Sequence, residues 1–431
     1  ESTGSSQSTS TTETKETAAP AETETAAVET EVAEEDNTDL SANITLWTYP
    51  IGKWGDSATV DSLITSFNAK YPNINVTVEY LDYTNGDDQV NTAIEGGQAP
   101  DLVMEGPERL VANWGAKGLM VDLADIWSTE ASQAIYDSIE AACKDAAGKY
   151  YEYPVCMTAH TMAINYDLFK EADALQYIDE ETHTWTTEGF QKAVEALVAY
   201  GQKNVGAVYC SGQGGDQGTR ALVNNLYGGT FTNAEHTEYT ANSAENVKAL
   251  ELLKSMDGIN FDSSIAGGDE ISLFCNGTLA MAFCWNVAQE KANAADVSFE
   301  IFPMAFPSEG TPQLQGGIWG FGIFDNGDDN RIEASKLFIE YITQDDAVYT
   351  EAVKTSTYWP VRDVAGIYDG DDLMTEYGMF MQYMGDYYQV TAGWAEARTA
   401  WWNMLQKVGT GTDVNAAVEE FVTTANAAAA Q

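Results

Sequence analysis

Strand-like and helix-like hydrophobic patterns alternate along this chain, and this alternation limits its fold more than any other feature. Residues 44–47 form a short apolar run, and residues 60–67 carry apolar side chains at the i, i+3, i+4, i+7 spacing of one helix face. Pro72-Asn73 ends that helix. Residues 74–80 then alternate as a strand, and residues 101–104 follow a Gly/Pro turn as another. The order is β-α-β-α.

The same pattern returns twice after a central stretch. Residues 190–198 carry a helical apolar stripe before a strand-like run at 205–210. Later, a strand at 320–324 precedes helical stripes at 334–341 and 414–421. Alternation of this kind predicts an α/β fold in which parallel sheets are flanked by helices.

Residues 1–40 have a different composition from the rest of the chain. They are almost wholly Ser, Thr, Glu, Ala and Asp and contain no aromatic residue. Such a segment buries too little apolar area to offset chain entropy. We expect a disordered tether that holds the folded body away from a surface, with an unstructured tail of no function as the alternative.

Charge and hydropathy exclude several partners. The chain has 20 Lys and Arg against 67 Asp and Glu, a formal net charge of −47, which repels nucleic acid and anionic membranes. No run of about 18 apolar residues is present, so we predict no membrane span. The five cysteines form an odd set without a CxxC motif, and we expect them to be mostly free, with a Cys275–Cys284 disulfide as the alternative.

Motifs for the common catalytic chemistries are missing. The sequence has no P-loop, no GxGxxG and no GxSxG motif. Its three histidines lack metal-ligand spacing, and the acidic run at 325–330 lacks the spacing of an EF-hand loop. We therefore predict a protein without catalytic step, cofactor or metal.

Aromatic residues are abundant, with 11 Trp and 22 Tyr. An aromatic ring can cover the apolar face of a pyranose while acidic, amide and Arg side chains bond its hydroxyl groups. For any single Trp, packing in the core is the competing interpretation.

Short motifs along residues 43–428 together resemble the extracellular solute-binding proteins that include the maltose and maltodextrin binders. Each motif is weak alone, and their order and spacing carry the resemblance. They are Ile44-Thr45-Leu46-Trp47, Phe67-x-x-Lys70-Tyr71-Pro72-Asn73-Ile74, Gly97-Gln98-Ala99-Pro100-Asp101-Leu102-Val103, Tyr153-Pro154, Ile164-Asn165-Tyr166-Asp167-Leu168-Phe169, Trp185-Thr186, Phe274-x-Asn276-Gly277, Gly316-Gly317-Ile318-Trp319 and Trp394-x-x-x-Arg398-Thr399-Ala400.

The resemblance implies a periplasmic-binding-protein-like fold, with two α/β lobes joined by a hinge and a ligand cleft between them. Lobe 1 would comprise residues 43–155 and 303–345, and lobe 2 residues 156–302 and 346–431. The chain would cross between the lobes near residues 155–158, 302–307 and 344–349. In this family the ligand stabilises closure of the hinge by touching both lobes.

The same resemblance implies the binding residues. Glu105, Glu108 and Arg109 follow Pro100-Asp101 at the expected cleft edge, with an ordinary surface salt bridge as the alternative for Glu108 and Arg109. Trp394 and Arg398 match the place where such proteins stack a pyranose. Further candidates lie beside strand ends, helix starts or glycine pairs: Tyr49, Trp54, Asp216, Trp285, Asn286, Trp319 and Arg362.

One departure concerns the loop of residues 49–55, which has Trp54 but not the acidic residue expected of a maltose binder. The sugar therefore stays open between α-linked gluco-oligosaccharides and β-linked plant oligosaccharides.

We predict a monomeric substrate-binding component of an ABC transporter that delivers a neutral oligosaccharide to the importer's membrane subunits. We expect an extracellular lipoprotein of a Gram-positive-type cell surface, anchored through an N-terminal lipid on a cysteine upstream of the given sequence. The alternatives are the same fold binding a peptide or polyamine, and a secreted carbohydrate-active enzyme with two opposed carboxylates.

Overall fold

Residues 37–208, 216–261 and 267–431 are described by the computed structural model. Most of the predicted tether, residues 1–36, lies outside the described residues, as does Cys210. The strands are β1 Ala42–Thr48, β2 Ile74–Tyr80, β3 Leu102–Glu105, β4 Tyr153–Ala159, β5 Thr161–Asn165, β6 Gly206–Ala207, β7 Ile259–Asn260, β8 Met281–Trp285, β9 Ile301–Met304, β10 Gly316–Ile323 and β11 Trp359–Pro360.

Helices follow or separate most of these strands. They are α1 Ser57–Lys70, α2 Gly86–Glu95, α3 Pro107–Arg109, α4 Glu130–Gln133, α5 Asp137–Ala142, α6 Tyr166–Glu171, α7 Thr187–Tyr200, α8 Asp216–Tyr227, α9 Ala244–Ser255, α10 Gly267–Cys275, α11 Val287–Asn293, α12 Asp329–Thr343, α13 Asp346–Ser356, α14 Asp372–Gly378, α15 Trp394–Gly409 and α16 Val414–Ala429. Within the described residues, none of these helices is long and apolar enough to cross a membrane.

A six-stranded sheet has the order β11-β4-β10-β3-β1-β2. Strand β1 runs parallel to β2 and β3, as the alternating pattern predicts. Strand β10 runs antiparallel to β3 and β4, and β11 antiparallel to β4, so the expectation of purely parallel sheets is wrong. The chain enters β10 from a loop after β9 and not through a crossover helix, so nothing forces a parallel pairing there.

Two smaller sheets lie elsewhere in the chain. Strands β8, β5 and β9 form an antiparallel sheet in that order, and β6 pairs with β7 in parallel. The chain leaves the six-stranded sheet after β4 and enters the three-stranded sheet at β5, with only His160 between them. The α/β class is confirmed.

The division into lobes stays a prediction, and helix contacts favour one refinement of it. Helix α13 contacts β4 and β11 of the six-stranded sheet, and the Tyr349 hydroxyl donates to the Val155 carbonyl at 2.6 Å. We therefore favour a third crossing beyond Ser356 over one near residues 344–349.

The predicted apolar stripes form the core. Phe67 of α1 is fully buried and meets the ring of Phe338 of α12 edge to face at 5.2 Å. Helix α12 in turn packs on β1 and β10. Burying each such side chain stabilises the fold by about 2 kcal/mol relative to its exposed state.

Polar side chains cap the starts of several helices. Asp56 and Thr186 cap α1 and α7, because each side chain accepts a hydrogen bond from a backbone N–H of the first turn. In the acidic run at 325–330, Asp328 caps α12. No disulfide links the four described cysteines, Cys143, Cys156, Cys275 and Cys284.

Candidate functional site

The first group of candidate residues lies at the carboxyl edge of β1, β2 and β3. Tyr49 directly follows β1, Tyr83 lies in the loop after β2, and Glu105 ends β3. Neighbouring parallel strands end at the same edge, which is where open α/β sheets bind ligands. Strand pairing therefore brings these three side chains together. With Asp87, Glu108 and Arg109 they form what we call the acidic cluster.

Arg109 is the cation of the acidic cluster. Its Nε lies 2.8 Å from Asp87 Oδ1 and its Nη1 lies 3.4 Å from Glu105 Oε1. Its guanidinium carbon lies 4.8 Å from the centroid of the Tyr49 ring and 5.8 Å from that of Tyr83. The side chain is 22 % exposed, so Arg109 is both fixed by its neighbours and open to a ligand.

Glu105 is nearly inaccessible, with 1 % exposure, and its Oε2 has no hydrogen-bond partner. Burial, together with the nearby Glu108 carboxylate, raises the pKa of Glu105 to about 8. For Asp87, burial favours the neutral acid, but hydrogen bonds from Arg109 and Tyr49 outweigh it and lower the pKa. The acidic cluster thus contains a carboxyl group that exchanges a proton near neutral pH.

Glu108 lies between the acidic cluster and a later part of the chain. Its Oε2 accepts a hydrogen bond from the Tyr387 hydroxyl at 2.8 Å. The carboxylate folds over Gly106, where an added Cβ would lie 2.9 Å from Glu108 Oε2 and 2.9 Å from the Ile318 carbonyl oxygen. A glycine is needed to keep Glu108 beside β10.

Trp319, which follows Ile318 in β10, is half-buried. Its indole stacks on the ring of Tyr358, with centroids 4.7 Å apart and planes 19° apart. A stacked, partly exposed aromatic pair is a surface that a pyranose can cover.

The second group, which we call the arginine cluster, comes from two helix starts. Asp216 and Arg220 lie four residues apart at the start of α8, and Trp394 and Arg398 do so at the start of α15. Asp216 binds both cations: Arg220, and Arg398 through contacts of 2.8 Å and 3.0 Å. Burial opposes ionisation of Asp216, but the two guanidinium groups outweigh it and hold its pKa below the ordinary value.

Trp394 covers the buried cation of the arginine cluster. Its ring centroid lies 4.8 Å from the Arg220 guanidinium carbon and 5.7 Å from the Tyr388 ring. Gly393 makes this position possible, since its φ is +72° and a Cβ there would lie 2.7 Å from the Ala429 nitrogen. Trp394 is half-buried, and Arg398 is 27 % exposed.

His160 lies between β4 and β5, and the charges of the arginine cluster influence its pKa. Burial and the positive charges of Arg220 and Arg398 lower its pKa to about 4, against the opposing charge of Asp216. His160 is therefore neutral at physiological pH.

Two consecutive tyrosines connect the clusters. The Tyr387 hydroxyl donates to Glu108 at 2.8 Å, and the Tyr388 hydroxyl accepts from Arg220 Nε at 3.3 Å. The acidic cluster, with the predicted residues Tyr49, Glu105, Glu108 and Arg109, thus contacts this dipeptide through Glu108. The arginine cluster, with Asp216, Trp394 and Arg398, contacts it through Arg220.

Four candidates make structural contacts with residues outside both clusters. Trp54 is fully buried against Phe321, at 5.5 Å between ring centroids. Trp285 is also fully buried, and its Nε1 donates to the Tyr377 hydroxyl at 2.7 Å. Asn286 caps α11. None of the three is retained in the proposed site, because core packing or capping already accounts for each.

Arg362 is the fourth of these candidates. It is 6 % exposed, and its Nη1 binds Asp346 at 2.7 Å while its Nη2 donates to the Thr343 carbonyl at 3.1 Å. These contacts join α12 and α13 to the segment after β11, so we exclude Arg362 from the proposed site as well.

Several residues of the clusters and of the dipeptide that connects them are absent from the sequence prediction: Tyr83, Asp87, Arg220, Tyr387 and Tyr388. Arg220 could have been found, because it follows Asp216 by four residues on a helix. Asp87 and Tyr387 contact Arg109 and Glu108, which are distant in the sequence, so no local pattern predicts these pairs. Within the described residues, no group of three or more His, Cys, Asp or Glu side chains could hold a metal ion.

Comparison with protein families gives one match. A family model described as bacterial extracellular solute-binding protein covers residues 62–373. Comparison with curated proteins gives no match.

Solved structures share the fold at low sequence identity. The cyclic α-maltosyl-1,6-maltose binding protein of Arthrobacter globiformis has a TM-score of 0.73 at 19 % identity, covering 90 % of this chain and 99 % of that chain. The sugar-binding protein MalE of Xanthomonas citri has a TM-score of 0.73 at 16 % identity, with 90 % and 98 % coverage. An ABC substrate-binding protein of Listeria monocytogenes, in complex with cycloalternan, has a TM-score of 0.63 at 20 % identity, also with 90 % and 98 % coverage.

Proposed function

The chain belongs to the family of bacterial extracellular solute-binding proteins, and we propose that it captures a neutral oligosaccharide and delivers it to the membrane subunits of an ABC importer. Its fold is the periplasmic-binding-protein-like α/β fold. The observation that carries the proposal is the pairing of partly exposed aromatic rings with partly exposed charged groups on both sides of the Tyr387-Tyr388 dipeptide.

The accessible members of both clusters, together with Trp319 of β10, have the chemistry that sugar recognition requires. Trp319 and Trp394 each keep part of a ring exposed, which suits the apolar face of a pyranose. Glu108, Arg109 and Arg398 are between 22 % and 29 % exposed and can bond hydroxyl groups. The buried members, Tyr49, Glu105, Asp216 and Arg220, position these groups rather than contact the ligand.

Binding needs no chemical step in this account. Each cluster supplies donors, acceptors and an aromatic face, and a ligand that touches both favours the conformation in which they are closest. We propose a non-enzymatic, monomeric protein. We propose also that it is held outside the cell by an N-terminal lipid anchor on a Gram-positive-type surface.

A cationic solute such as a polyamine is the second candidate. The buried carboxyl group of Glu152 lies near Glu105 and Glu108, whose charges add to its burial in keeping its pKa well above the ordinary value. A concentration of carboxyl groups beside Tyr49 and Tyr83 would also suit an alkylammonium group.

A thermal-shift panel tests the proposal. The ligands are maltotriose, cellotriose, xylotriose, spermidine and a neutral tripeptide, since a solute bound by the folded state raises the melting temperature. We expect a rise with one trisaccharide class only, and the sugar should be recovered intact. A rise with spermidine or the tripeptide alone would refute the oligosaccharide, and cleavage of the sugar would refute the non-enzymatic role.

A further inference from the structure

A pocket on one side of the arginine cluster is not used by the proposed cleft. It encloses about 620 Å³ of empty space, including its open mouth. One wall is the second half of α8 with the turn that follows it, and the other is the loop before β10. The lining residues are Ala221, Asn224, Asn225, Gly228, Gly229, Thr230, Phe231, Thr232, Ser308, Thr311, Gln313, Gln315, Asp386 and Tyr388.

The walls of this pocket are held by hydrogen bonds. The Asn225 side chain donates to the Gln313 carbonyl at 2.8 Å and accepts from the Gln313 N–H at 2.7 Å. The Gln315 Nε2 donates to the Asp386 carbonyl at 2.6 Å, and the Asp386 carboxylate binds His236 Nε2 at 2.7 Å. A pocket fixed in this way loses little conformational entropy when a ligand enters.

One buried acceptor in the pocket wall has no partner. Gln315 is 5 % exposed, and its Oε1 makes no hydrogen bond. The bond from Nε2 to the Asp386 carbonyl fixes which end of the amide is the acceptor. Leaving such a group unpaired costs about 1–3 kcal/mol, which a ligand hydroxyl would recover.

The lining determines the chemistry of the ligand. It contains no Lys or Arg, so an anion finds no counter-charge, and its single carboxylate, Asp386, is already paired with His236. The remaining polar groups are amides and hydroxyls, which suit a neutral polyhydroxylated molecule. The rings of Phe231 and Tyr388 stack with centroids 4.8 Å apart and complete the apolar part of the lining.

We propose that this pocket is a second carbohydrate site, which takes one pyranose unit independently of the Arg109 and Trp394 cleft. Gln315 Oε1 accepts from a ring hydroxyl, and Asn224 and Thr311 bind the others.

Ligand-observed NMR titration with methyl α-D-glucopyranoside, methyl β-D-glucopyranoside and methyl β-D-xylopyranoside tests the site. The background is the double variant Arg109→Gln, Arg398→Gln, which weakens the cleft without altering the pocket lining. In that background we expect one glycoside to bind still. Adding Thr311→Trp, which replaces an exposed lining residue by a bulky ring, should abolish binding, whereas Thr65→Trp on the exposed face of α1 should not.

A second variant tests the unpaired acceptor. Gln315→Met keeps the side-chain length but removes both the acceptor and the Nε2 donor to Asp386, and we expect binding about tenfold weaker, with Gln133→Met as the matched exposed control. The site is refuted if the double variant binds no glycoside or if Thr311→Trp leaves binding unchanged. If the wild-type protein still binds a trisaccharide in either case, the proposed function stands and only the second site fails.

Discussion

The acidic cluster and the arginine cluster use the same residue types in opposite proportions. Around Arg109 the carboxyl groups outnumber the single cation, and Glu105 has its pKa raised to about 8. Around Asp216 two guanidinium groups share one carboxylate, whose pKa is lowered. Burial favours the neutral acid in both places, so the number of neighbouring cations decides the charge. One cluster responds to pH near neutrality, and the other is a fixed ionic scaffold.

The largest expected effect is a difference in the free energy of unfolding that is lost when an arginine of each cluster is replaced. Arg220 is fully buried, so Arg220→Met leaves Asp216 with Arg398 alone and should lower the free energy of unfolding by about 3–5 kcal/mol. Arg109→Met should cost only about 1 kcal/mol, because its main partner, Asp87, is 52 % exposed. Urea unfolding measures the loss of stability in both variants, with Lys192→Met as the control. Equal losses for the two arginines would contradict the contrast.

The next effect concerns the aromatic surfaces. Trp394→Ala should weaken oligosaccharide binding about thirtyfold, since a stacking face and its contact with Arg220 are both lost. Trp319→Ala should have a similar effect, since it removes the aromatic face that stacks on Tyr358 near the acidic cluster. Calorimetric titration gives the affinities, and Trp127→Ala, a buried tryptophan outside both clusters, is the control for lost packing. Unchanged affinity in either cluster variant would remove that cluster from the site.

A pH effect distinguishes the clusters further. The folded-state pKa of Glu105 is raised, so the folded protein binds that proton more tightly than the unfolded chain, and stability falls as the pH rises from about 5 to 8. Glu105→Gln should remove about 3–4 kcal/mol of that decline, because the pKa is raised from 4.5 to about 8 and one pKa unit corresponds to about 1.4 kcal/mol. Asp216 acts in the other direction, and its contribution is lost only below the ordinary pKa of 3.8. Urea unfolding at pH 5, 6.5 and 8 checks the sign, and a parallel decline in the variant would contradict it.

The smallest effect tests the link between the clusters. Tyr387→Phe removes the hydrogen bond to Glu108, which is 29 % exposed, and should weaken oligosaccharide binding about threefold to fivefold. Tyr166→Phe, which loses a similar bond to the exposed Glu180, should leave affinity unchanged. Calorimetry compares the two variants, and equal affinities would show that the dipeptide does not couple the clusters.

The sequence predicts the fold better than the site, for physical reasons. The spacing of hydrophobic residues predicts α1, β2 and α12 directly, because burial of one face of a helix or strand produces a local sequence pattern. The antiparallel pairing of β10 with β3 and β4 has no local sequence pattern, since the direction of β10 depends on how the chain returns from β9. Trp54 and Trp285 look like ligand surfaces in the sequence, but aromatic rings serve cores equally well. Tyr387 and Asp87 have no local signal at all, because only long-range contacts place them beside Glu108 and Arg109.

The most direct test of the account is a calorimetric titration of the trisaccharide selected by the thermal-shift panel into two variants. One replaces Arg109 and Arg398, the accessible cation of each cluster, by Gln, and the control replaces the exposed Lys53 and Lys192 by Gln. We predict that the first double variant loses at least a hundredfold in cleft affinity while the control binds like the wild type. Wild-type affinity in the first variant would contradict the claim that the two clusters hold the sugar together.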